Sequence, residues 1–99
     1  MNHAERREHI LKSAVRVAER VGYFRITRRQ IATEAEVSDG LVQHHFHNQE
    51  TIREAVLKEA IRTENLQVVG QAAVLKNSDS EIPAELAARA VRFIMEGNG

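Results

Sequence analysis

The chain has no cysteine, which excludes disulfide staples and thiolate metal sites and fits a reducing compartment, the cytoplasm being expected. It has one proline and five glycines in 99 residues, few of them inside a segment, so little interrupts a helix. No apolar run approaches the roughly 18–20 residues of a membrane span. The N-terminus mixes charges of both signs and lacks the apolar block of a signal peptide. There is no glycine-rich phosphate loop and no nucleophile–base pairing, so neither an enzyme nor a cofactor is expected. Period-two alternation is missing too, and with it any sign of strands. An all-α chain of one domain, or of one domain with a helical extension, is what remains.

Acidic and basic residues balance at fourteen each, but unevenly along the chain. Residues 1–53 carry a net +2 and residues 54–99 a net −2, which suits a front half that meets phosphate. Over residues 4–21, Ile10, Leu11, Ala14, Val15, Val17, Ala18 and Val21 make one apolar face, and Gly22 stands where a C-cap glycine belongs. Tyr23 and Phe24 follow in a short connection expected to pack on that helix.

Thr27-Arg28-Arg29-Gln30 reads as a capping box opening a helix of about two turns, with Ile31, Ala32 and Ala35 inward. Glu36-Val37 makes a turn. Ser38 is the N-cap of a third helix expected to reach about Phe46, with Val42 and Phe46 inside. Asp39, Gly40, Gln43, His44 and His47 then point away from the core, and Leu41 is placed either half-buried or outward. Two short helices joined by a tight turn are helix-turn-helix geometry, the second being the one that enters a major groove. Ala32 is small where the helices cross, and Val37 can lock the turn.

The stretch from Ala18 to Ile52, with Gly22, Tyr23, Thr27, Ile31, Ala32, Ala35, Val37, Ser38, Gly40, His44, Phe46 and Glu50 in register, resembles the TetR-family DNA-binding domain. The resemblance implies a homodimeric repressor whose recognition helix is residues 38–46. It assigns DNA contacts to Thr27, Arg28, Arg29, Ser38, Asp39, Gly40, Leu41, Gln43, His44 and Gln49. Arg29 matches a position that reads a base in some members, and Gly40 one of close approach to DNA. Three positions depart from the pattern. Glu36 replaces a usual glycine, Gln43 a common tyrosine and Gln49 a common lysine. These imply weaker or relocated phosphate contacts, which Arg28 and Arg29 can offset.

The run His44-His45-Phe46-His47 invites a metal reading, but no carboxylate sits at a ligand spacing beside it and no metal is expected. Asn48 caps a fourth, longer helix expected to run on to Leu75. Lys76 to Ser80 reads as a loop, and Pro83 falls in the first turn of a last helix. The division expected is a head at 1–53 and a helical dimerisation region at 54–99. The stripe Ile61, Val68, Ala72, Leu75 and the face Leu86, Ala90, Phe93, Ile94 suit a four-helix bundle made by two chains. About 35 residues follow Glu64, too few for a drug-sized cavity, so a small-molecule inducer is not expected here. Double-stranded DNA and a second copy are the expected partners, with no membrane. Two other readings stay open: an adaptor that keeps the helix-turn-helix as a scaffold, and the front piece of a longer inducer-responsive regulator.

Overall fold

The computed structural model describes residues 1–75 and 81–98, without the side chains of Leu75 and Asn98. The expected loop at 76–80 and the expected interface role of Leu75 therefore lie outside what is described. Every described element is helical: α1 (His3–Val21), a 3-10 turn (Tyr23–Arg25), α2 (Arg28–Ala35), α3 (Asp39–His45), α4 (Gln49–Arg62), α5 (Leu66–Leu75) and α6 (Ala84–Phe93). A wider turn, Ile94–Asn98, ends the described chain. The chain divides into two compact units, Met1–Val56 and Leu57–Gly99, with the division inside α4.

The first unit is built on α1. Asn2 caps it: its side chain accepts from Glu5 N–H at 2.8 Å, and the Glu5 carboxylate accepts from Asn2 N–H at 3.1 Å. Gly22 ends it at φ 105°, a backbone that only glycine takes at no cost. Ile10, Val17 and Ala18 are fully buried, together with Ile31 of α2, Val42 of α3 and Val56 of α4. The two aromatics after Gly22 part company. Tyr23 is buried and its hydroxyl donates to the Arg53 carbonyl at 3.1 Å, whereas Phe24 is 40% exposed, its ring meeting that of Tyr23 edge-on at 4.8 Å.

In the second unit the helix expected to run from Asn48 to Leu75 is two helices. The bonds that stop α4 are those of a Schellman end: Glu64 N–H to the Ile61 carbonyl at 3.2 Å and Asn65 N–H to the Ala60 carbonyl at 2.8 Å. Glu64 takes the left-handed conformation at φ 53°. Asn65 then starts α5, its side chain accepting from Val68 N–H at 3.2 Å. Pro83 likewise stands one residue before its helix, at the cap position, and its carbonyl accepts from Ala87 N–H at 2.8 Å.

α5 packs along α6 within one chain. Gly70 makes this possible, because a Cβ there would stand 2.7 Å from the Ala90 carbonyl oxygen and would overlap the Ile94 side chain. Val68, Val69, Ala72 and Ala90 are thereby fully buried and Leu86 nearly so. Each large side chain among them contributes about 1.5–3 kcal/mol by leaving water. This corrects the expected interface: Val68, Ala72, Leu86 and Ala90 are consumed by the chain's own packing. Ile61, Phe93 and Ile94 stay half-exposed, and Val74 (51%) and Met95 (78%) are more exposed still.

Candidate nucleic-acid interface

Local capping builds the site. The Thr27 hydroxyl accepts from Gln30 N–H at 3.2 Å while the Gln30 side chain accepts from Thr27 N–H at 2.9 Å, so α2 starts where the capping box places it. α2 ends at Glu36, left-handed at φ 60° and ψ 47°. Glu36 N–H reaches the Thr33 carbonyl at 3.3 Å and Val37 N–H the Ala32 carbonyl at 3.0 Å. The turn thus keeps its Schellman form without the glycine, and Glu36 carries the strain of the left-handed backbone. Val37 is half-buried in it. The Ser38 hydroxyl accepts from Leu41 N–H at 3.1 Å and sets the start of α3.

Three ties hold α2 against α1. A ring nitrogen of His9 (Nε2) bonds the Ala35 carbonyl at 2.8 Å. Arg16 and Arg20 each reach the Glu34 carboxylate at 3.0 Å. These two hydrogen bonds, Arg16 first, hold the Glu34 carboxyl below its ordinary range. The pair of arginines ties the first helix of the motif to α1.

α3 buries Val42 and leaves Asp39, Gly40, Gln43 and His44 exposed, with Leu41 half-buried. Thr27, Arg28, Arg29 and Ser38 are exposed beside it. Nine of the ten residues expected to meet DNA therefore line one motif. Gln49 is the exception: its side chain is half-buried and donates to the Ile26 carbonyl, so it braces the head from inside and its amide is taken. α3 also stops at His45 instead of Phe46, because Phe46 turns extended (φ −135°, ψ 94°), and His47 lies beyond the helix instead of on its outer face. Asn48 caps α4 as expected, accepting from Thr51 N–H at 2.9 Å.

The cations sort by partner. Lys12, Arg16, Arg20 and Arg53 face carboxylates within the first unit. Arg6, Arg7, Arg25, Arg28 and Arg29 have no carboxylate partner among the described residues. Two of these, with His3, gather at the end of α3, which sequence reasoning did not find. The His3 ring lies 4.7 Å from that of His45 and 6.0 Å from that of His44. The Arg7 guanidinium sits 4.7 Å over the Phe46 ring. His45 Nδ1 is buried without a hydrogen-bond partner. Its pKa is pushed below the ordinary 6.5, first by desolvation and then by His3, His44, Arg7 and Arg6. Among the described residues, no group of three or more His, Asp or Glu is arranged to hold a metal.

Residues 10–56, from the middle of α1 to the middle of α4, match the bacterial regulatory proteins of the tetR family. The head belongs to the TetR family. The chain is 27% identical over 93 residues to the HTH-type transcriptional regulator BetI of Vibrio campbellii, covering 94% of this chain and 43% of that protein. It is 34% identical over 67 residues to the HTH-type transcriptional regulator HbdR of Aromatoleum sp., covering 68% of this chain and 29% of that one. The chain thus spans less than half the length of either relative. No solved structure matches it significantly. The similarity to BetI spans 94% of the chain and so reaches beyond the head. A DNA-binding transcriptional regulator of TetR type is the function class that these matches support.

Proposed function

We propose that the chain reads a specific duplex DNA sequence as a homodimer, and that it acts in the cytoplasm as a repressor. What carries the reading is the exposed outer face of α3 beside Arg28 and Arg29, two cations without carboxylate partners at the start of α2. Two positive charges at the positive end of a helix dipole cost a little stability, which a phosphate nearby would more than offset. In this reading Arg28, Thr27 and Ser38 contact phosphate, and Gln43 replaces a longer reach with a side-chain amide. Arg29, Asp39, Gly40, Leu41 and His44 approach base edges, where Leu41 can meet a thymine methyl.

One head makes few base contacts, and heads paired about 34–36 Å apart gain affinity together. The half-exposed Ile61, Phe93 and Ile94, with exposed Val74 and Met95, are the apolar surface that the second unit has left for a second copy. Selection of bound sites from a random duplex pool tests the reading. A two-fold symmetric consensus supports it. No preference among sequences at low salt would transfer the head to the adaptor reading.

A further inference from the structure

His3, Arg6 and Arg7 stand outside the helix-turn-helix, yet they border its recognition helix. His3 is exposed and its ring edge meets His44, the last exposed residue on the outer face of α3. Arg7 is anchored over Phe46, which ends α3. The charges that reach His45 come from His3, His44, Arg7 and Arg6, and all are basic.

The acids nearby are engaged elsewhere. Glu5 closes the capping box of α1, and Glu8 faces Lys12 at 3.6 Å. Glu34 of α2 is held by Arg16 and Arg20, and Glu50 of α4 by Arg53. Asp39 lies at the opposite end of α3, and His47 beyond the helix adds another base. Crowding bases without a counter-charge costs stability, and a polyanion laid across them reverses the sign of that cost. The patch is continuous with the face already assigned to DNA, so phosphate is the polyanion it fits.

We infer that His3, Arg6 and Arg7 form, with His44, a second phosphate-contacting surface that carries the interface from α3 onto the start of α1 and tightens as its imidazoles take up protons. The inference rests on the DNA-binding reading. An imidazolium pairs with phosphate where a neutral imidazole does not, so binding and protonation favour each other by linkage.

The test uses the full chain and a duplex selected from a random pool, with fluorescence anisotropy read against salt and pH and circular dichroism confirming the fold. Arg6→Ala lowers the slope of log affinity against log salt by about one. Wild type binds several-fold more tightly at about pH 6 than at about pH 8 at fixed ionic strength, and His3→Gln with His44→Gln removes most of that dependence. Lys58→Ala, on an exposed residue of α4 in the second unit, leaves both readouts unchanged. If Lys58→Ala has the same effect as Arg6→Ala, the effect is one of overall charge and the inference fails. Wild-type affinity that ignores pH, or variants with unchanged salt and pH slopes, also overturn it while leaving the DNA-binding reading intact. A wild type with no affinity for any duplex ends both.

Discussion

Glu36 and Glu64 close their helices by the same device: each lies in the left-handed region, at φ 60° and φ 53°, with the following N–H bonded back across the last turn. A residue with a Cβ is strained there by roughly 1–2 kcal/mol, and neither carboxylate is needed for the bond pattern. Glu36→Gly is expected to stabilise the chain by up to about 1 kcal/mol, after the extra entropy of glycine in the unfolded state is subtracted, and Glu64→Gly by less, because it also gives up an exposed ion pair with Arg89 at 3.1 Å. Urea midpoints of the two variants check it. A loss of stability in both would mean that the glutamates have a role beyond the turn.

Base reading makes a sharper demand. Arg29→Ala and His44→Ala are each expected to cost about 1–3 kcal/mol on the selected site and to relax preference at one position per half-site. Arg28→Ala instead weakens binding to all sequences alike. Competition among single-base variants of the duplex separates the two outcomes.

Two groups make stability fall with acid, in different windows. His45 is depressed in the fold, so the folded head binds fewer protons than the unfolded chain below the ordinary value of 6.5. Its contribution is complete above that value and is lost as pH falls through the lower folded one. Glu34 is depressed as well, and its contribution begins to fade only below the ordinary 4.5. His45→Phe is expected to flatten the upper part of a stability–pH curve and Glu34→Gln the lower part. Urea unfolding from about pH 8 down to about pH 4 reads both.

Much of the head was legible because its signals are local. Thr27 with Gln30, Ser38 and Asn48 announce helix starts within four residues, and the apolar spacing of α1 needs no partner to be seen. The break after Arg62 was hidden for the opposite reason. The apolar stripe runs straight through it, and Glu64 sits where a glycine would have marked the stop. Asn65 was the one available clue, a good cap residue inside an otherwise continuous pattern. Gln49, Gly70 and His3 each depend on a residue at least twenty positions away, Ile26, Ala90 and His44 respectively, which no periodicity can show.

Pairing is expected through the surface that the second unit does not use itself. Sedimentation of the full chain at micromolar concentration should show twice the mass of one chain. Ile61→Asp with Phe93→Asp, both half-exposed, should halve it while helicity persists. A wild type that sediments as a single chain would remove the dimer.

Gly70 also bears on how a genetic screen of this protein would read. No side chain fits between α5 and α6 at that position, so nearly any replacement should inactivate the protein while touching neither DNA nor a partner. By mutation frequency alone it would rank beside Arg29. Dominance tells them apart on the proposed pairing: a folded Arg29 variant enters mixed dimers and poisons wild-type subunits, whereas a Gly70 variant that cannot pack its last two helices stays out of them and is recessive.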